Sequence, residues 1–540
     1  MIEPENLLIA TILVPLVGAC LMWVLAPLGD VIVRRVALGT TLVVLVGTAT
    51  LVAQCPTDGT PFAVHRAMGG SRYLNVQFFS LGLDGLGLWM FALSSILMIT
   101  SVLVSWTAIR ERVPLFYGML LLLEFGCLGV FTAQDIILFY VFFEFTLIPL
   151  FFLIGIWGSE ERRYAAIKFF LFTLAGSMLT FLGLLAIVLF DFSINQRASL
   201  VFSIPELTTA LADQPIPTNW QVYIFLALFA GFAIKVPLFP FHTWLPLAHV
   251  QAPTAGSVFL AGILLKIGVY GFLRFSVPLL PNATAQCMPY LLWLSVIGII
   301  YGALVALAQT DMKKLIAYSS VSHLGYCTLG LFALTPLAVQ GSALQMINHG
   351  ISTGALFALV GMLYERYHTR EISHYGGLAK RLPCLTFFMV LFTFSSIGLP
   401  GTNGFTGEFL ILIGMFQRGW TTPGLLIIAV LAVSGVVLGA WYMLNLVRRV
   451  FFGPLLEPAV DGHEGEPITD LNVREVAALL PLAVLVFWIG VYPKFFLDRM
   501  APSLRHATAA AEEEVRHLDI QNEKQAASPQ VATESLARVH

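Results

Sequence analysis

Charged residues are scarce in this sequence. Asp, Glu, Lys and Arg make up 11% of its 540 residues, whereas a soluble domain usually carries about 25%. Hydrophobic residues make up 58% of the chain, and a water-soluble globule of this composition would have too few polar side chains to cover its apolar surface. The shortage of charge argues against soluble enzymes, nucleic-acid-binding proteins and disordered scaffolds. It predicts an integral membrane protein, whose apolar surface is covered by lipid.

Sequence signals for redox, metal or nucleotide chemistry are also missing. The six cysteines are scattered and no two have CxxC spacing, which argues against a disulfide framework, a zinc site or an iron–sulfur cluster. The sequence contains no Walker A motif and no dinucleotide-binding fingerprint after a strand. We therefore expect no cofactor and no metal in this chain, and we expect its driving energy to come from a partner or from an ion gradient.

Long apolar runs fill most of the chain. A membrane-spanning helix needs about 20 apolar residues, and fourteen runs reach a comparable length. They lie at 6–27, 36–53, 83–106, 114–133, 135–157, 165–191, 221–245, 254–279, 289–309, 313–334, 337–364, 384–416, 422–447 and 475–497. We number them spans 1 to 14 and predict an all-α polytopic membrane protein. Span 12 contains Pro400 and several glycines, which predict a broken helix.

Lys and Arg are distributed unequally between the connections that follow odd-numbered and even-numbered spans. The even-numbered connections hold only Arg66, Arg72, Arg197, Arg274 and Arg418. The odd-numbered connections hold Arg34, Arg35, Arg110, Arg112, Arg162, Arg163, Lys168, Lys313, Lys314, Arg366, Arg370, Lys380, Arg381, Arg448, Arg449 and Arg474. Because positive residues are retained in the cytoplasm, the side carrying the odd-numbered connections, here called the odd face, is predicted to be cytoplasmic. Both termini then lie on the opposite side, the even face.

The last part of the chain changes character. Residues 501–540 are rich in Ala, Glu, Gln and Ser and show little apolar periodicity. This composition is typical of a polar, disordered tail, in which residues 506–524 could form a surface helix.

The chemically informative residues are ionisable side chains in the middle of apolar spans. Each costs a few kcal/mol or more at the bilayer centre and therefore needs a partner, a water-filled cavity or a function. Six qualify, with Glu124 as a secondary candidate: Glu144, Lys235, Lys266, His323, His349 and Glu408. Each alone has a structural alternative, such as a hydrogen-bonded packing histidine, a Glu144–Lys235 ion pair, or Glu408 capping a helix. Together they predict a proton relay.

Helix-breaking sequences accompany two of these residues. Lys235 begins KVPLFPFHTWLP, and GLPGTNGFTG precedes Glu408. Irregular backbone at membrane depth persists only where protein or water covers it, and interrupted helices in both halves of a chain are typical of transport proteins built from repeats. We expect Glu144 and Lys235 to act as a gate by moving together and apart, and the histidines to relay protons near neutral pH.

Several stretches resemble one known family. They lie at 133–158, 162–177, 235–275, 308–326, 347–357 and 398–412, and the long block from Lys235 is very specific. In these stretches the sequence closely resembles the antiporter-like membrane subunits of proton-pumping NADH–quinone oxidoreductase, respiratory complex I. Glu408 and the stretch 368–383 resemble one subunit type of that family, because the related subunits usually carry lysine at this position.

The resemblance implies an architecture and a role for each candidate residue. The fold would contain about fourteen transmembrane helices with two inverted five-helix repeats, each with one broken helix. The implied regions are 1–110 (spans 1–3), 111–280 (first repeat, spans 4–8), 281–452 (second repeat, spans 9–13), 453–500 (last span) and 501–540 (tail). Glu144 and Lys235 match the gating pair, Lys266 the central lysine, His323 and His349 the relay histidines, and Glu408 the terminal group of the second half-channel.

The resemblance also implies a function and partners. The chain would be a translocase subunit that moves protons through two half-channels without bond chemistry of its own, while flavin, iron–sulfur clusters and quinone act in partner subunits. Its partners would be neighbouring antiporter-like subunits and, indirectly, the peripheral redox arm, in a bacterial plasma membrane with both termini periplasmic. The alternative is a subunit of a multi-subunit cation/proton antiporter or a membrane-bound hydrogenase. A purely structural spacer would tolerate apolar residues at the relay positions.

Overall fold

Helices form most of the chain, and the first three precede the predicted repeats. The computed structural model describes residues 3–58, 62–66, 80–422, 424–458 and 468–526. The first helices are α1 (Pro4–Val24), α2 (Asp30–Gln54) and α3 (Gly85–Ala108). Strands β1 (Phe62–Arg66) and β2 (Ser80–Leu83) pair antiparallel between α2 and α3, a small addition to the predicted all-α fold. Asp84 caps α3 by accepting the Gly87 N–H at 2.8 Å.

The next group of helices corresponds to spans 4 to 8. It comprises α4 (Val113–Thr132), α5 (Ile136–Phe145), α6 (Leu147–Trp157), α7 (Arg162–Ile194), α8 (Ile204–Asp213), α9 (Thr218–Lys235), α10 (Trp244–Gln251), α11 (Thr254–Phe259), α12 (Lys266–Gly271) and α13 (Val277–Leu279). The π-helical segments Leu260–Leu264 and Phe272–Ser276 join α11, α12 and α13 into one span. The short helix α8 lies in the connection between spans 6 and 7.

The second half of the chain repeats this plan. It comprises α14 (Pro281–Leu307), α15 (Met312–Phe332), α16 (Pro336–Tyr367), α17 (Pro383–Ser396), α18 (Asn403–Thr421), α19 (Leu426–Phe451), α20 (Val473–Val491) and α21 (Lys494–Ala526). Two 3₁₀ turns, Ile372–His374 and Leu378–Lys380, lie in the connection between α16 and α17.

Every predicted span corresponds to a single helix or to consecutive helical segments. In the described part of the chain, eleven such helices or runs of segments are long and apolar enough to cross a membrane. The other three predicted spans are α9 with α10, α15 alone, and α17 with α18. The predicted polytopic helical architecture is therefore confirmed, and the chain is a multi-pass membrane protein.

The two broken spans occupy equivalent places. The first break separates α9 from α10 directly after Lys235, and the second separates α17 from α18. Each broken span is the fourth in its set of five. Because five spans reverse the direction of the chain, the second set starts from the opposite side of the membrane. Gly398 and Gly401 in the second break have φ values of +71° and +92°, which side chains other than glycine rarely adopt.

The most polar spans lie at the centre of the bundle. Most of the span formed by α11–α13 and most of helix α16 are enclosed by other helices, and nearly every residue of α15 is buried. These three spans carry Lys266, His349 and His323. Their position removes charged and polar side chains from contact with lipid, where they would be costly.

Residues 501–526 belong to α21, so the surface helix suggested for 506–524 is present and is longer than expected, and the expectation of disorder does not hold for these residues. Leu504, Thr508, Ala511 and Val515 are buried in it, and their spacing of three and four residues places them on one helix face. The stripe alternates with Glu, Arg and His residues, so mean hydropathy concealed it. Residues 527–540 lie outside the described residues.

Helix α21 crosses the even face and connects α3 to the second repeat. Near its start, the Gly85 N–H donates to Ser503 Oγ at 3.3 Å. Near its end, Asp519 accepts from Arg418 at 3.3 Å and from the Thr422 hydroxyl at 3.1 Å. The helix therefore joins the beginning of α3 to the end of α18.

Candidate proton-transfer site

Lys235 lies where the first broken span is interrupted. It is the last residue of α9, and its side chain is buried. The C-terminal end of a helix carries a partial negative charge that favours a cation. The Nζ atom lies 4.7 Å from the centroid of the Phe143 ring, which is a favourable cation–π distance.

Glu144 lies beside Lys235 without touching it. In the described structure the two side chains form no ion pair within 4.0 Å, and Lys235 instead packs over the ring of the adjacent Phe143. The Glu144 Oε1 atom is buried and has no hydrogen-bond partner among the described atoms. Glu144 also precedes an unpredicted interruption at Thr146, between α5 and α6. Pro149 contributes to this interruption because it has no N–H for the Phe145 carbonyl.

Lys266 and His349 form a direct contact between the two repeats. The Lys266 Nζ atom lies 2.7 Å from His349 Nδ1, and both residues are buried. Lys266 also donates to the Ala261 carbonyl, which belongs to the π-helical segment preceding α12. π-helical segments are frequent at functional sites. Here the segment presents a backbone acceptor to a lysine that has no carboxylate within ion-pair distance in the described structure.

The second half of the row runs from His349 through His323 to Glu408. The two imidazole centroids are 5.6 Å apart, and His323 Nδ1 lies 3.2 Å from Glu408 Oε1. The other ring nitrogen of His323 lies 3.2 Å from Ser396 Oγ and 3.5 Å from the Tyr442 hydroxyl. The structure thus places Lys266, His349, His323 and Glu408 in one contiguous series of titratable groups.

Glu408 lies in the second turn of α18, and its carboxylate forms hydrogen bonds with other side chains rather than with the backbone. Its Oε1 atom accepts a hydrogen bond from Gln345 Nε2 at 3.1 Å in addition to its contact with His323. Within the described residues no backbone N–H donates to its carboxylate, and Thr402 occupies the N-cap position of α18. The geometry therefore does not match the alternative in which Glu408 only caps the helix after the break.

Glu124 stands apart from this row. It lies in α4 with no exposed surface, and neither carboxylate oxygen has a hydrogen-bond partner among the described groups. Burial without a partner is costly for a carboxylate and indicates that it is held neutral or solvated. The structure does not bring Glu124 into the Lys266–Glu408 series.

A cavity opens on the odd face above the row. It has a volume of about 460 Å³ and is lined by the ends of several spans, with Lys313, Glu365, His368 and Arg370 among its polar residues. Lys313 is buried and donates to the Ala252 carbonyl at 2.6 Å. The cavity therefore reaches a buried lysine at the start of α15.

The comparisons with known proteins agree with this architecture. Residues 133–437, more than half of the chain, match the family model described as NADH:quinone oxidoreductase/Mrp antiporter, TM. The chain belongs to this family. The matched region contains all six of the main candidate residues and both broken spans. The family assignment made from the sequence motifs is therefore confirmed.

Relatives extend the family match over nearly the whole chain. The chain is 42% identical over 515 residues to NADH-quinone oxidoreductase subunit M of Rhodobacter capsulatus, covering 93% of this chain and 96% of that protein. It is 41% identical over 494 residues to NADH-ubiquinone oxidoreductase chain 4 of Arabidopsis thaliana, covering 91% and 95%. These relatives are named as the subunit type that the glutamate at position 408 indicated.

Solved structures of the family have the same fold. A chain of respiratory complex I from Thermus thermophilus with bound NADH superposes with a TM-score of 0.80 at 32% identity, covering 94% of this chain and 99% of that one. A chain of the Mrp complex from Dietzia sp. DQ12-45-1b gives a TM-score of 0.76 at 20% identity, covering 94% and 99%. The second likeness shows the fold alone.

His249 and Lys313 are candidate residues that the sequence analysis of this family member did not select. His249 is completely buried in α10 and stacks on Phe357, with ring centroids 4.5 Å apart and an interplanar angle of 10°. Neither ring nitrogen has a partner among the described atoms, and the Lys313 ammonium lies near the end of the same helix, where it donates to the Ala252 carbonyl at 2.6 Å. His249 follows the proline-rich break and so does not lie in the middle of an apolar run. Lys313 was assigned to a connection on the odd face rather than to a span.

Proposed function

We propose that this chain is a proton-translocating membrane subunit of an NADH–quinone oxidoreductase, driven by redox chemistry in other subunits. The observation that supports this most strongly is the buried series Lys266, His349, His323 and Glu408, which runs from the first repeat into the second. Titratable groups at such distances can pass protons by successive changes of protonation and partner. The chain itself performs no bond chemistry in this proposal.

The arrangement favours proton uptake from the odd face and release through Glu408. The cavity above Lys313 provides access for water, and the Lys313 ammonium donates to the Ala252 carbonyl directly after α10, the helix that carries His249. The proposed order is therefore Lys313, His249, Lys266, His349, His323 and Glu408. Glu144 and Lys235 act beside this route as the gating pair, and their separation in the structure corresponds to the unpaired state of the gate.

His249 provides a test of the proposed route. Replacement of His249 by phenylalanine keeps an aromatic ring against Phe357 but removes both ring nitrogens. We expect proton translocation per quinone reduced to fall by roughly tenfold or more, since a positioned proton-transfer group commonly contributes about 10²-fold. The measurement is the proton-to-quinone ratio of the complex reconstituted in vesicles. The matched control, His506→Phe on the exposed side of α21, should pump normally, and normal pumping by His249→Phe would remove His249 from the route.

The membrane orientation is a separate prediction. We propose that the odd face is cytoplasmic, in a bacterial plasma membrane, and that both termini are periplasmic, because the odd-face connections hold most of the Lys and Arg. A periplasmic reporter fused after His540 should be active, and a cytoplasmic reporter there should be silent. The opposite result would contradict the periplasmic C-terminus, and with it either the orientation or the even number of spans.

The choice between the two kinds of complex in the family requires a test on the assembled protein. Purification through a tag on this chain should recover flavin, iron–sulfur clusters and NADH–quinone reductase activity, since these belong to the proposed partner subunits. Recovery of a complex without flavin or clusters that exchanges sodium for protons would favour the cation/proton antiporter instead. The high identity to subunit M over nearly the full chain supports the first outcome.

A further inference from the structure

The hairpin formed by α1 and α2 carries a groove on its lipid-facing surface. The two helices approach closely at two glycines. A Cβ atom on Gly18 would lie only 2.5 Å from Thr40 Cγ2, and one on Gly47 would lie only 2.4 Å from Thr11 Oγ1. Close approach at small residues is a common way to pack membrane helices. Beside the Gly18–Thr40 contact, the helices leave a cavity of about 740 Å³.

The walls of this groove are apolar and open to lipid. They comprise residues of both helices, among them Leu13, Val17 and Val43, which are 44%, 57% and 57% exposed. Gly39 also lines the groove, and a Cβ atom there would meet no other atom within 4 Å. The groove is therefore wide enough at Gly39 to accept a chain of methylene groups.

The length of the groove corresponds to one membrane leaflet. On α1 it runs from Ala10 to Leu21, which is about 16 Å at a rise of about 1.5 Å per residue. Half of a hydrocarbon core about 30 Å thick is about 15 Å. The groove thus extends from slightly on the even side of the middle of α1 to within one turn of its odd-face end.

A positive charge lies at the surface end of the groove. Arg35 lines it there and is exposed. In the described part of the chain Arg35 makes no ion pair and no side-chain hydrogen bond. The neighbouring Arg34 adds a second positive charge and is partly occupied by a hydrogen bond to the Ile109 carbonyl at 2.9 Å. An unpaired guanidinium at the headgroup level favours a phosphate.

We propose that this groove binds one anionic phospholipid, with an acyl chain between α1 and α2 and the phosphate on Arg35. The apolar walls select a hydrocarbon chain, the one-leaflet length selects a lipid over a membrane-spanning helix, and Arg35 selects a negative headgroup. The ligand is a bulk membrane lipid with a net negative charge, such as phosphatidylglycerol.

Photo-crosslinking of the intact complex tests this site. The complex is reconstituted in phosphatidylcholine vesicles that contain a trace of one photoreactive lipid probe. The probe is either phosphatidylglycerol or phosphatidylcholine, and each carries a diazirine at the end of one acyl chain. We expect the α1 and α2 peptides to be labelled more strongly by the phosphatidylglycerol probe. Arg35→Gln should lower that labelling by about fivefold and leave the phosphatidylcholine labelling unchanged. Gly39→Leu should fill the groove and lower the labelling by both probes.

Two matched variants serve as controls. Arg163→Gln removes an odd-face charge on α7, and Gly298→Leu adds a side chain on α14 at another position where a Cβ atom meets nothing within 4 Å. Neither should change the labelling of α1 and α2. Equal labelling by the two probes in the unaltered complex would overturn the proposal. So would capture of a neighbouring subunit by a photoreactive residue at Val17 with no lipid labelling, because a protein helix would then occupy the groove.

Discussion

Replacement of Glu408 by glutamine is expected to reduce proton translocation on the order of 100-fold, because an amide cannot bind and release a proton. The substitution keeps the size of the side chain and an oxygen that can accept from Gln345 and His323. Packing should therefore survive, and the assembled complex should be recovered in normal amounts. The measurement is the number of protons translocated per quinone reduced in reconstituted vesicles.

Two further variants at this position separate a proton carrier from a fixed negative charge. Glu408→Asp keeps the acid with a shorter reach and should retain partial activity. Glu408→Lys keeps a titratable group of opposite charge, so we expect it to retain more activity than Glu408→Gln if the position needs only a proton carrier. If His323 instead needs a negative partner at 3.2 Å, the lysine variant should be the worse of the two through repulsion.

The control for this series is Glu111→Gln, which removes a carboxylate from an exposed connection on the odd face. It should pump like the unaltered complex. Near-normal pumping by Glu408→Gln would show that the carboxylate has only a structural role, because an amide oxygen can still accept the same hydrogen bonds.

The gating pair is expected to show an equally large effect. Glu144→Gln and Lys235→Ala should each abolish or sharply reduce coupled activity while the complex assembles normally. The double variant should be little worse than either single variant, because groups that act as a unit are strongly non-additive. The measurement is a double-mutant cycle on quinone-coupled proton translocation.

The structure makes this cycle informative, since Glu144 and Lys235 are neighbours without a direct ion pair. If Glu144 and Lys235 formed a permanent ion pair, non-additivity in the cycle would reflect that contact alone. Because they do not touch in the structure, non-additivity would indicate a second conformation in which the two side chains meet. The control Lys380→Ala removes an exposed lysine from the connection before α17 and should have no effect. Full pumping by either single variant, or additive effects in the double variant, would rule out the gate.

The sequence was most informative where an ionisable side chain lies within an apolar membrane span. Lys266, His323 and His349 were predicted because each is an ionisable residue in an apolar run, and all three lie in enclosed spans at the bundle centre. The two breaks were predicted for a similar reason, since prolines after Lys235 and glycines before Glu408 cannot continue a helix. These predictions rest on local chemistry, which a single sequence contains.

The sequence was least informative where the signal depends on distant partners. His249 lies next to the first break, and only the packing against Phe357 shows that it is buried inside the bundle. Ala511 and Thr508 of α21 are only weakly apolar, so their burial depends on the helices against which α21 packs and does not show in the local sequence. Contact between Lys266 and His349 joins residues 83 positions apart, and no local pattern predicts such a distance.

Helix α21 has a consequence for the order in which the protein is made. Asp519 binds Arg418, whose guanidinium also donates to the Ala333 and Leu334 carbonyls at 2.8 Å each, so one late residue holds the ends of two earlier helices, α15 and α18. Ser503 ties the same helix to the start of α3. Residues 503 and 519 follow all the described spans in the chain, so these contacts can form only after those spans have been synthesised. The contacts that α21 makes across the even side of the bundle are therefore among the last to form.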